Sequence, residues 1–149
     1  PRCVFTDPEM AQVGLTESEA PTSARVSRLA FAALGKGLCD EEPEGFVKLI
    51  VEAATDQVLG GTIVGAHASD MIHLITVAIH HRLTAKQLAH TITAHPTWPE
   101  ALSEAAAQIY GESLASAPGA RAPRKTLINA AQHAPARPLP DGAGGDSRG

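Results

Sequence analysis

The chain has 149 residues, 44 % of them hydrophobic, which suffices for one packed core and leaves no room for a two-domain enzyme with its own nucleotide-binding unit. A formal charge of −4 and an aromatic content of 3 % lack the basic, aromatic-interleaved face of a nucleic-acid binder. The longest uncharged apolar stretches, such as Val58 to Ala66, stay far below the ~20 residues of a bilayer span, so no membrane anchor is expected.

In chain order, Arg2 to Thr6 suits a short strand stopped by Asp7-Pro8, because the residue before proline avoids the helical region. Gln12 to Leu15 reads as a second extended piece. Thr16-Glu-Ser-Glu19 has the form of a capping box and predicts a short helix through about Ala20. Arg25 to Leu34 and Gly45 to Ala53 alternate and predict strands. The turn Ala54 to Gln57 leads into a strand from Val58 to Ala66, so these last two strands form an antiparallel hairpin.

Beyond His67 the period changes to that of a helix. Ser69 is placed to cap it, and Met71, Ile72, Ile75, Val77, Ala78, Ile79 and Leu83 spread over a wide arc, the mark of a helix buried on more than one side. Thr84 to Gln87 is a second capping box and opens a short helix through His90. Thr97 to Glu100 is a third, with Pro99 near the first turn, and its helix runs on to Ile109. Strands first and helices last predict an α+β fold, an antiparallel sheet with helices packed on one face.

Composition changes near Tyr110. Residues 111–149 hold 5 Pro, 6 Gly and 9 Ala in 39 positions, too little apolar surface to offset ordering entropy. The expected organisation is therefore a domain over residues 1–110 and a flexible extension over 111–149, with a weak helical turn around Lys125 to Gln132. A chain opening on Pro1, with neither an initiator Met nor a signal-peptide pattern, reads as a fragment or a domain cut from a longer polypeptide. Cys3 and Cys39 are too few for a disulfide scaffold, and no C-x-x-C occurs, so a reduced, cytoplasmic setting is expected.

Six of the seven histidines fall between His67 and His95. Metal ligands on one helix face need spacings of three or four, whereas His73, His80 and His81 are seven and eight apart, so surface or interface roles account better for these and for His90. His95 differs: it lies in a loop between two helices, followed by Pro96 and the box at Thr97. Glu100, five residues on, can turn back toward its ring. A carboxylate beside an imidazole fixes the tautomer and favours a general base usable near neutral pH. The residues alone favour the plainer account, in which Glu100 is only a cap for the Thr97 amide and His95 an ordinary loop residue.

Six blocks in order carry a resemblance: Cys3 to Glu9, Gln12-Val-Gly14 with Thr16 to Ala20, Gly45 to Leu49, Leu59 to Gly65, Ser69 to Ile72, and above all His95-Pro-Thr-Trp-Pro-Glu100. Over residues 1 to 110 the sequence resembles the C-terminal dimerisation domain of the pyridine nucleotide-disulfide oxidoreductases. The last block matches the H-P-T-x-x-E signature of the dihydrolipoamide dehydrogenase and glutathione reductase branches. The resemblance implies a homodimer acting on a small thiol or disulfide. FAD and NAD(P) would be bound by other domains, and this domain would deliver its His to the partner's redox cysteine pair. His95 would be the acid/base, Glu100 its orienting partner, and the loop of His95 and Pro96 would lie near the partner's FAD with a cis His95-Pro96 bond. No G-x-G-x-x-G and no C-x4-C occur, so this chain alone is expected to hold no cofactor and to be inactive. A stand-alone, non-catalytic homodimerisation module is the alternative. Trp98-Pro99 replaces the smaller polar residues usual in this signature, and Trp98 is expected at the channel mouth or in the interface.

Overall fold

The computed structural model describes residues 1–115. Five strands, β1 (Arg2–Val4), β2 (Met10–Gly14), β3 (Arg25–Ala30), β4 (Gly45–Val51) and β5 (Val58–Gly65), form one sheet in the order β1-β2-β5-β4-β3, antiparallel throughout. Four helices accompany it: α1 (Gly35–Cys39), α2 (Ala68–His80), α3 (Ala85–Ala89) and α4 (Glu100–Gln108). This is the α+β arrangement that the sequence pattern predicts. The hairpin of β4 and β5 forms about the expected turn, with Asp56 in the left-handed region at φ 64°, which short polar side chains tolerate.

Alternation along the strands sorts the two faces. Ala11, Ile63, Val47 and Leu29 stand opposite one another across four strands, and none is more than 2 % exposed. Their neighbours Gln12, Thr62, Lys48 and Arg28 form the matching row on the other face. On the inner face α2 crosses β5 and β2, while α4 crosses β3 and β4 and packs beside α3. Met71, Ile72, Ile75 and Ala78 turn inward, and a fully buried isoleucine such as Ile75 contributes roughly 1.5–3 kcal/mol. Gly65, at φ 123°, lets this layer close: a Cβ there would meet the Phe31 ring at 2.6 Å.

Four expectations need correction. Thr16 to Ala20 forms a turn and not a helix; the Glu19 carboxylate does accept from the Thr16 amide (2.8 Å), but Pro21 follows and denies the preceding residue a helical conformation. The third strand ends at Ala30, because Phe31–Ala33 tighten into a 3-10 turn that leads into α1. Gly35 and Gly37 hide this helix by propensity, yet Gly37 is needed there, since a Cβ would lie 2.7 Å from the Phe31 carbonyl oxygen. Ser69 does not cap α2. The cap position is His67, left-handed at φ 59°, and the Ser69 amide and hydroxyl both donate to Glu9 Oε2, at 2.9 and 2.8 Å. Finally, α4 begins at Glu100 with Pro99 at its cap, and the Thr97 hydroxyl donates to the Ala94 carbonyl instead of capping. The box at Thr84 does form, with Gln87, and opens α3.

Past α4 the chain remains tied down. The Tyr110 hydroxyl bonds to Asp56, and Ser113 and Ala115 both bond to Glu104. The expected turn around Lys125 to Gln132 and most of the expected extension lie outside the described residues.

Candidate functional site

The loop between α3 and α4 carries His95, with the His95-Pro96 bond cis as the resemblance implies. Its frame is local. The Thr97 hydroxyl bonds back to the Ala94 carbonyl at 2.7 Å, closing the loop on itself. Glu100, the first residue of α4, then uses both carboxylate oxygens: Oε2 accepts from the Thr97 amide at 2.6 Å, and Oε1 lies 2.8 Å from His95 Nδ1. The two sequence readings of Glu100 are thus one arrangement, since the same carboxylate caps the backbone and holds the ring.

The protonation pattern follows from the donor set. Burial pushes the Glu100 carboxyl up, but the Thr97 amide and the His95 ring outweigh it and hold the group below its ordinary range. An ionised carboxylate only accepts, so in the neutral ring Nδ1 carries the proton and Nε2 keeps its lone pair. The His95 side chain is 76 % exposed while Glu100 is 19 % exposed. The result is an imidazole ring presented outward on a shielded carboxylate.

Four of the other described histidines have partners of their own. His67 packs against Trp98, His80 and His81 meet edge to face at 5.0 Å, and His90 lies 3.8 Å from Glu112. Among the described residues no group of three or more His, Cys, Asp or Glu is arranged to hold a metal ion. No helix among them is long and apolar enough to cross a membrane. Trp98 is buried within the domain, 6 % exposed, with Nε1 donating to Asp40 at 3.1 Å. Asp40 carries no sequence signal that would link it to a loop 58 residues away.

The described residues do not fit a dinucleotide. Such sites are built on a parallel βαβ unit with a glycine-rich turn at a helix N-terminus, whereas every strand pairing here is antiparallel.

Residues 1–106 match the family described as pyridine nucleotide-disulphide oxidoreductase, dimerisation domain, and the chain belongs to that family. It is similar to the dihydrolipoyl dehydrogenases of Rhizobium etli (39 % identical, covering 76 % of this chain and 24 % of the relative) and Chlorobaculum tepidum (43 % identical, 71 % and 23 %). Among solved structures it is similar to LpdA of Mycobacterium tuberculosis, with a TM-score of 0.69 and 33 % identity over 72 % of this chain and 24 % of that one. The chain spans about a quarter of the length of the relatives it matches.

Proposed function

We propose that residues 1–110 serve as the dimerisation domain of a FAD-dependent, NAD(P)-linked disulfide oxidoreductase of dihydrolipoamide dehydrogenase type. In this reading His95 is its acid/base and Glu100 the partner that orients it. The observation that carries the reading is the 2.8 Å contact of His95 Nδ1 with a shielded Glu100 on a side chain that is itself 76 % exposed. A thiol is a poor nucleophile and its thiolate a good one. Nε2 removes the proton from a substrate dithiol, the thiolate attacks a disulfide sulfur of the partner subunit, and the protonated ring later returns its proton to a departing sulfur. Such proton transfer typically contributes about 10²–10⁴-fold. Electron transfer by FAD and NAD(P) belongs to sites outside the described residues.

Homodimerisation is supported by Leu74 and Val77, one turn apart on α2 and 45 % and 51 % exposed, and by the nearly fully exposed Ile92. The kinetic test uses the full-length polypeptide carrying these residues: His95→Gln lowers dihydrolipoamide-dependent NAD reduction by at least about a hundredfold, and unchanged turnover would refute the role. The second reading, a non-catalytic homodimerisation module, rests on the same exposed Leu74, Val77 and Ile92, which would serve self-association without any chemistry. A dimeric full-length polypeptide without bound flavin would favour it.

A further inference from the structure

Four contacts hold Trp98, three of them on its indole, between the two members of the pair in sequence. Trp98 lies three residues after His95 and two before Glu100, and it is buried. Its Nε1 donates to Asp40 Oδ2 at 3.1 Å. The Phe31 ring tilts against it with centroids 5.0 Å apart, and the His67 ring with centroids 5.5 Å apart. Its carbonyl accepts from the Ala101 amide at 3.1 Å, within the first turn of α4.

Asp40 is fixed in turn. As the residue that caps the end of α1, it takes Lys36 Nζ on Oδ1 at 2.8 Å and leaves Oδ2 for the indole. The Lys36 hydrogen bond also holds its carboxyl below the ordinary range, so it accepts at neutral pH. The start of the same short helix flanks the catalytic ring: a Cβ on Gly35 would lie only 3.7 Å from His95 Cε1. One five-residue helix therefore backs the loop at both ends, beside the His95 ring at Gly35 and at the indole through Asp40. The His95 ring itself is largely exposed, so this buried side of the loop is where the brace acts.

We infer that Trp98 and Asp40 are positioning residues for His95 and Glu100, with α1 as the brace that keeps the imidazole aligned on the carboxylate. The catalytic consequence rests on the role proposed for His95; the geometric one does not. Trp98→Phe keeps the packing ring and removes only the donor, Asp40→Ala removes the acceptor, and Asp40→Asn is the conservative rescue, its single oxygen serving the part-buried indole while only the exposed Lys36 bond is given up.

The readout is the tautomer of the neutral His95 ring, from its imidazole nitrogen shifts in the 149-residue chain. Trp98→Phe and Asp40→Ala each lower the ratio of Nδ1-protonated to Nε2-protonated ring by about fivefold, the effect of one ordinary hydrogen bond. The double variant falls no further, because both remove one interaction, and Asp40→Asn stays near the parent ratio. If the parent ring shows the Nδ1 tautomer and every variant keeps the parent ratio while only the unfolding midpoint drops, the two residues are merely structural and the inference is overturned. If the parent ring lacks that tautomer, the reading of the His–Glu pair fails instead.

Discussion

Glu100 joins two parts of the loop through one side chain, with His95 Nδ1 on one oxygen at 2.8 Å and the Thr97 amide on the other at 2.6 Å. Glu100→Gln keeps a single acceptor oxygen and cannot serve both donors. Its unfolding free energy in urea falls by about 1–3 kcal/mol, the cost of leaving a shielded polar group without its partner. A change within ±0.3 kcal/mol would show that the bridge stabilises nothing.

Asp56 ties three distant segments to the β4–β5 turn: Arg25 at the start of β3, the Lys86 amide of α3, and the Tyr110 hydroxyl after α4. Burial, together with the bond to Asp56, pushes the Tyr110 hydroxyl up to about 12. A phenol whose pKa is raised on folding contributes stability that is complete below its ordinary value of about 10 and is lost as pH climbs through the folded value. The parent chain therefore loses stability between pH 10 and about 12, and Tyr110→Phe removes that part of the alkaline decline while lowering stability at neutral pH. Parallel alkaline profiles for parent and variant would contradict this.

Glu9 caps α2 from across the fold, accepting from the Ser69 amide and hydroxyl. The Ser69 amide, followed by its hydroxyl, holds the Glu9 carboxyl below its ordinary range. A lowered carboxyl stabilises the fold above its ordinary pKa and loses that contribution as pH falls through the folded value. Glu9→Ala costs about 0.5–2 kcal/mol at neutral pH, as the loss of a helix cap does, and its deficit shrinks in acid. Thermal melts of both proteins at pH 7 and pH 3 measure this; a deficit of equal size at both would contradict it.

Much of this was legible where short-range chemistry decides. The β4–β5 hairpin, the Thr84 box and the backward reach of Glu100 depend on residues two to five positions apart. The misses share a different cause. Ser69 has the composition of a cap, but a carboxylate 60 residues earlier supplies the acceptor. The α1 helix contains two glycines that argue against it, and one of them is required only because the Phe31 carbonyl lies so close. Trp98 points inward because Asp40, Phe31 and His67 surround it, which no local pattern encodes.

Homodimerisation through α2 predicts that Val77→Glu, which puts a charge on a half-exposed apolar position, converts the protein to a monomer at micromolar concentration. Sedimentation velocity distinguishes the two species. A dimer of unchanged stability would place the interface elsewhere.

The central claim is that an ionised carboxylate holds the His95 ring so that Nε2 faces outward without a proton. Nitrogen chemical shifts of the imidazole, recorded above the pH at which the ring becomes neutral, test it most directly. The account predicts a dominant Nδ1-protonated form in the parent chain and loss of that preference in Glu100→Ala. A neutral ring carrying its proton chiefly on Nε2, with Glu100 intact, would contradict it.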